Sequence, residues 1–372
     1  MQKIWLKRGL ALALCLLCAG GAAVYMPPVT ADAAVSVAAA SPVIRLDTAS
    51  CELKTTAQKY YLAVTVTPDR GTPPDAVSSN PDVAVGKYVK KSGSNYLYEI
   101  SGLKEGLATI YLRYANTENM LAVKVGDEKG TVNVRVPEGS TLREVAQTLE
   151  RSGVCTMKAV FDAANSSAFD SYSFISSIPN TDSRYYKLEG YLYPDTYNFW
   201  KGQNVESVLK AMLNNFQTKT ATINWQNSAG LTKDQVLTLA SLVQREGTAA
   251  DMANVSSVFY NRLNSGSSVN VYRLQADSTM YYPYRAKGNV PSQFPDFQST
   301  YNTYNFEGLM PGPICNPSLT AIQAALNPAS TNYYYFCHSA AGSSYFASTL
   351  EQHNANLVAA GLRAANTGAV TA

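Results

Sequence analysis

"ASLVQREG", residues 240–247, closes an apolar helix with a carboxylate. Thr232 followed by Gln235 has the form of a capping box, so the helix is expected to start near residue 233. Val236, Leu239, Ala240 and Val243 then recur at i, i+3, i+4 and i+7, the spacing of one helical face. Glu246 lies three residues after Val243, four after Leu242 and seven after Leu239, so it projects from that same stripe. Gly247 follows, as expected where a helix stops. A Glu on an apolar face must be paired, neutralised or functional, because burying a bare carboxylate is costly. The plain alternative is a side chain at a frayed helix end that reaches back to water.

Composition bounds what surrounds this helix. A chain of 372 residues predicts two or three domains, and 46% hydrophobic residues supply real cores. A net charge of +3 with 15% charged residues leaves no basic tract, which argues against a nucleic-acid partner. The 25 Tyr suit sugar surfaces, where ring faces meet apolar sugar faces, and suit exported β-rich domains equally.

Lys3, Lys7 and Arg8 precede the 18-residue run "GLALALCLLCAGGAAVYM", and "ADA" at 31–33 fits the small-x-small pattern of signal peptidase. Residues 1–33 are therefore expected to direct export, either as a signal peptide cleaved near Ala33 or as a single-pass membrane anchor. Cys15 and Cys18 do not form a lipobox. Of the other cysteines, Cys51, Cys155, Cys315 and Cys337, none forms a CxxC; with His338 and His353 alone beside them, zinc has little support. A Cys315–Cys337 disulfide is compatible with export but is not assigned by sequence.

After a low-complexity linker at 34–40, residues 41–127 alternate in short strands: Leu62, Val64 and Val66; Ile110 with Leu112; Leu121, Val123 and Val125. Regular spacing of such strands predicts a β-sandwich. "SSNPDVAV" (78–85) and "ISGLKEGLATI" (100–110) resemble the bacterial Ig-like domains of group 2, which implies a spacer or adhesion module. Over 130–184 the pattern changes to a strand, a turn at Pro137–Gly139 and a helix capped by Ser140 or Thr141, with Leu142, Val145, Ala146 and Leu149 on one face. It resembles a LysM-like α/β subdomain, and a generic βα unit fits as well. Residues 185–365 mix helices with Pro- and Tyr-rich loops, so the fold class is multidomain: an all-β Ig-like sandwich, a small LysM-like α/β subdomain and an α+β catalytic domain.

Several stretches after 185 are polar or aromatic where core logic alone would not put them: "LEGYLYPDTY" (188–197), "ASLVQREG", "VFYNRL" (258–263), "LQADSTMYY" (274–282), "YNTYNFEGLMPGPICNPS" (301–318), "AALNP" (324–328), "YYYFC" (333–337) and "HN" (353–354). In this order, over about residues 131–357, they resemble the YceG-like family of endolytic murein transglycosylases. The resemblance implies cleavage of the β-1,4 bond between N-acetylmuramic acid and N-acetylglucosamine, with the muramic 6-hydroxyl as nucleophile and a 1,6-anhydro end as product. One carboxyl group can serve as acid and then base, because a tethered nucleophile reaches effective molarities of roughly 10⁵–10⁸ M.

Glu246 matches the family's catalytic Glu, and the apolar stripe is a means of keeping it protonated by desolvation. Gln244 stands where the family often has a further acid. Glu189 and Asp195 match positions that bind sugar or order the site. Asn261 and Arg262 follow on the next helix, with Arg262 either paired to a site carboxylate or solvated. Gln275 and Asp277 are cleft candidates, Asp277 as a hydrogen-bond acceptor more than a proton carrier. Tyr301, Asn302 and Tyr304, followed by Gly308, Pro311, Gly312 and Pro313, form either a rigid cleft loop or core. His353-Asn354 also matches, though a single His near the C-terminus is more often structural. No metal or organic cofactor is implied. The implied partners are peptidoglycan glycan strands and, beside the membrane, peptidoglycan synthases. Two rival readings stand: a glycan-binding module with an inactive last domain, and a muramidase-type hydrolase using Asp277 or Glu189 as its second carboxylate.

Overall fold

The computed structural model describes residues 42–127, 130–265 and 271–364. The leader expected over 1–33 and the linker over 34–40 lie outside the described residues, within which no helix is long and apolar enough to cross a membrane. Eight strands come first: β1 (Val43–Leu46), β2 (Ser50–Leu53), β3 (Lys59–Thr67), β4 (Asp75–Ser78), β5 (Ala84–Ser92), β6 (Asn95–Gly102), β7 (Gly106–Tyr114) and β8 (Thr117–Val125). They form two four-stranded sheets, in the orders β1-β3-β6-β5 and β2-β8-β7-β4. Strict alternation builds the layer between them. In β6, Tyr96, Tyr98 and Ile100 turn inward while Leu97 and Glu99 turn out. The inward residues of both sheets share one core.

β7 departs from that alternation, because it is buried on both faces. Ala108, Ile110 and Leu112 enter the sandwich core, whereas Tyr111 joins the core of the helical body that follows. Beside it the Thr109 hydroxyl donates to Glu150 Oε2 at 2.6 Å, and Ser79 donates to the other oxygen of the same buried carboxylate. The sandwich is thus pinned to the helices through a satisfied polar contact.

The helical body begins with β9 (Thr131–Arg135), α1 (Leu142–Arg151), α2 (Met157–Ala164), α3 (Ser173–Ser176) and β10 (Thr196–Trp200). Thr141 caps α1 in a full capping box with Glu144. β10 pairs antiparallel with β9, Tyr197 opposite Val134 and Phe199 opposite Val132. The strand that completes this small sheet therefore lies beyond the 184/185 boundary expected from the sequence. Periodicity marks strands but not their partners.

Glu189 is fully buried, which removes it from any sugar and corrects its expected contact with substrate. Both its oxygens accept the Leu142 N–H, at 2.8 and 2.9 Å, and Oε2 accepts the Tyr282 hydroxyl at 3.0 Å. It ties the first turn of α1 to the loop carrying Tyr282. Gly190 beside it sits at φ +89°, with Pro313 where a Cβ would be. Burial pushes the Glu189 carboxyl up to about 8, against the hydrogen bonds from Leu142 and Tyr282. A carboxyl raised on folding binds its proton more tightly in the native state, so its contribution is present at low pH and is lost as pH rises toward about 8. The unfolding free energy, and with it the denaturation midpoint, is expected to fall over that range, the former by up to roughly 1.4 kcal/mol per pH unit. Glu189→Gln should flatten the dependence. A wild-type midpoint constant from pH 5 to 8 would contradict it.

The remaining elements are α4 (Val205–Lys219), α5 (Lys233–Glu246), α6 (Met252–Ser265), α7 (Leu319–Leu326), β11 (Tyr335–His338), β12 (Ser344–Ala347) and α8 (Leu350–Ala359). α5 starts at the expected capping box and packs against both α6 and α7. Its residues 236–243 are buried without a break, so the one-sided stripe understated it: α5 is a central helix covered all round. Its interior hydroxyls are satisfied. Thr238 donates to Asp234 O at 2.9 Å, and Ser241 donates to Thr238 O at 2.7 Å while accepting Ile314 N–H at 3.0 Å. Cys315 and Cys337 are both free, buried thiols, and Cys315 faces Ser241 O at 3.3 Å, so the disulfide considered from sequence is not formed.

Candidate active site

Glu246 is the last residue of α5, and Gly247 ends the helix. The glycine is not in a left-handed conformation: at φ −105° and ψ 161° it is extended. What it provides is room, since a Cβ there would meet Val243 O at 3.1 Å and Met252 Cγ at 3.2 Å. The chain can then turn at once into α6 and leave the Glu246 carboxyl half-buried at the helix tip.

Glu246 Oε1 accepts the backbone N–H of Ser278 at 3.2 Å, from the 3-10 turn Asp277–Thr279. Burial raises the carboxyl above its ordinary value. The Ser278 N–H opposes that rise, the Asp277 charge adds to it, and His338 pulls weakly the other way. Among the described residues no Lys or Arg comes within ion-pair distance of Glu246. A carboxyl that is desolvated and unpaired is biased toward its protonated form, and a bond accepted at Oε1 leaves Oε2 as the oxygen to carry the proton.

The structure sorts the other expected residues into three groups. Gln275, Asp277, Asn302 and Tyr304 gather on the side of Ser278. The Tyr304 hydroxyl donates to Asp277 Oδ1 at 2.6 Å, and Asn302 Oδ1 accepts the Tyr304 N–H at 3.1 Å. Gln275 is exposed, with φ +48°, a conformation few non-glycine residues adopt; its N–H reaches Thr303 O at 3.3 Å. Strain of this kind concentrates at functional sites.

A second group supports the site from behind. Among the described residues Arg262 pairs with no carboxylate, contrary to one expectation: its guanidinium donates to the carbonyls of Leu274 and Tyr334 and lies over the Tyr335 ring at 5.7 Å. Burial pushes it down to about 10, so it remains charged at neutral pH. Asn261 donates to Thr331 O and Tyr333 O at 3.0 and 2.8 Å, holding the strand entrance rather than a ligand.

The third group lies elsewhere. Tyr301 is fully buried between Tyr282 and Tyr185, with ring centroids 4.6 and 5.6 Å away, so of the two readings of this Tyr it takes the core one. Asp195 is bonded to Asn215 Nδ2 at 3.0 Å and to Thr196 N–H at 2.8 Å beside Lys219, a surface arrangement at the β10–α4 junction.

Sequence reasoning missed Asp251, Ser344 and the roles of Tyr335 and His338. Register brings two of them together: His338 and Ser344 are cross-strand partners in the β11–β12 hairpin. Both then meet Asp251 Oδ2, His338 Nε2 at 3.3 Å, while Asp251 Oδ1 accepts Thr248 N–H at 2.6 Å. Burial alone would raise the Asp251 carboxyl, but these bonds outweigh it and hold it low. His353 stacks on Tyr335 at 5.2 Å, and burial lowers it further toward the neutral imidazole. Hydrogen-bonded cross-strand pairs separated by a loop leave no local periodicity to read, which is why these residues escaped.

Known proteins resemble this chain over about 60% of its length. Over 246 residues, 60% of this chain and 43% of the relative, the sequence is 33% identical to a Streptococcus pneumoniae protein named endolytic murein transglycosylase. A Bacillus subtilis protein of the same name is 33% identical over 238 residues, 59% of this chain and 63% of the relative. The chain thus spans less than two thirds of the length of either. A crystal structure of a YceG-like protein from Listeria monocytogenes matches with 30% identity and a TM-score of 0.48, over 60% of this chain and 75% of that one. The model of the YceG-like family matches residues 78–359, from the fourth strand of the sandwich to the last helix, and the chain accordingly belongs to the YceG-like family.

Proposed function

We propose that this protein is an endolytic murein transglycosylase, with Glu246 acting first as acid and then as base. The supporting observation is the half-buried Glu246 carboxyl, raised by burial and without a cationic partner among the described residues. In the first step its Oε2 proton passes to the glycosidic oxygen, which leaves with N-acetylglucosamine as the C1–O bond breaks. The muramic 6-hydroxyl then closes on C1, and its proton returns to Glu246. No water is consumed. Gln275, Asp277, Asn302 and Tyr304 are the residues we assign to the glycan, with Tyr304 offering a ring face and Asp277 an acceptor. Arg262, Asn261 and the Asp251–His338–Ser344 group hold the walls.

The sandwich is read as a bacterial Ig-like module and the β9–α1–α2–β10 unit as LysM-like, on their sequence patterns and strand pairing. The positively charged, apolar leader supports export to the outer face of the membrane, where peptidoglycan synthases would supply nascent strands.

Incubation with purified sacculi, followed by reducing-end analysis, is expected to give internally cut strands with anhydro ends. The rate should fall as pH rises through the raised value of Glu246, because the acid must be protonated in the free enzyme. Release of terminal disaccharides alone would contradict the endolytic reading. Binding to sacculi without any cleavage would favour the glycan-binding module instead.

A further inference from the structure

Arg143 occupies the first turn of α1, where the helix dipole disfavours a cation. Its guanidinium lies 5.0 Å from the Tyr284 ring centre and 5.6 Å from those of Tyr111 and Phe161. Among the described residues it forms no ion pair. The nearby acids are already engaged: Glu144 receives Arg285 through both oxygens, and Glu118 receives Arg113 at 3.1 Å. Arg143 and Tyr284 also separate two hollows at the junction of the sandwich, α1 and the 283–298 loop, one of about 280 Å³ and one of about 550 Å³. Pockets of roughly 300–1,000 Å³ accommodate small ligands.

We propose that this junction is a second binding site, separate from Glu246, for an acidic amino sugar of the N-acetylmuramic type. Charge decides which hollow takes the acid. The smaller is lined by Arg143, Arg285 and Glu144, a net positive set, together with the neutral polar side chains of Thr141, Gln147 and Asn289. The larger is lined by Arg143 but also by Glu118 and the exposed Asp296, which would repel an anion. A carboxylate on Arg143 in the smaller hollow leaves the rest of the sugar against the neutral polar side chains of Thr141, Gln147 and Asn289. None of these lining residues belongs to the Glu246 group. The choice of ligand rests on the glycan reading above; the presence of an acid-binding site does not.

The test is a titration of the full chain with N-acetylmuramic acid and with N-acetylglucosamine, which lacks the carboxylate, followed by saturation-transfer NMR or calorimetry. A charge-assisted hydrogen bond predicts that the acidic sugar binds at least about tenfold more tightly, and that Arg143→Gln removes this preference. Asn289→Ala, an exposed change at the rim, should weaken the acidic sugar several-fold and decides the matter if Arg143→Gln fails to fold. Glu246→Gln should leave this binding unchanged while abolishing cleavage, so the two claims fail separately. Equal binding of the two sugars, loss of binding in Glu246→Gln, an unaltered Asn289→Ala, or equal affinity for inorganic phosphate would each overturn the proposal, the last by making the site a general anion site.

Discussion

Replacing Glu246 by Gln is expected to lower strand cleavage by roughly 10²- to 10⁴-fold or more while leaving the fold intact. Gln keeps the shape and can still accept the Ser278 N–H at Oε1, but it has no proton to give from the other branch. Desolvation is the main cause of the raised Glu246 carboxyl, so removing the charge should leave the melting temperature unchanged or slightly higher. Glu246→Asp retains the acid but withdraws it by a methylene, and displacement on the order of 1 Å can cost about 10² in rate. Near-wild-type cleavage by the Gln variant would remove Glu246 from the chemistry.

The second large effect concerns stability. Arg184 is buried and pairs with Asp234 at the start of α5, Nη1 to Oδ1 at 3.0 Å, while Nη2 and Nε reach Asn180 Oδ1 at 3.0 and 3.2 Å. The Tyr191 hydroxyl donates to the same Asp234 oxygen at 2.7 Å. Gly312 lies flat against the guanidinium, since a Cβ there would meet it at 2.7 Å. Arg184→Met strands a buried carboxylate and is expected to cost about 3–5 kcal/mol, read from a urea midpoint. Arg184→Met combined with Asp234→Leu should recover much of that loss, because the desolvation of both charges is then avoided. A single variant within about 0.5 kcal/mol of wild type would show that water reaches the pair.

These two sites mark how far the sequence could be read. α5 was legible from its capping box to its last residue, because caps and i, i+3, i+4 spacing are local signals. Glu246 was legible too, as an acid displaced onto an apolar face. Glu189 looked alike in sequence and has the opposite fate, since nothing local says that the N-terminus of α1 will close over it. Arg184 and Asp234 are 50 residues apart and carry no joint pattern. Tyr301 and Tyr304 stand three residues apart in one loop, yet the first is core and the second lies against Asp277. A loop without regular period gives no face to count from. The sandwich strands were found by alternation, but the second burial of β7 depends on a helix pair that folds against it.

The central claim is that the substrate, not water, attacks the anomeric carbon while Glu246 moves the proton. It is tested most directly by digesting purified glycan strands in ¹⁸O-labelled water and weighing the new ends by mass spectrometry. The account predicts ends one water lighter than a hydrolytic product and carrying no ¹⁸O. Ends of hydrolytic mass with one ¹⁸O incorporated would contradict it and identify a muramidase that activates water.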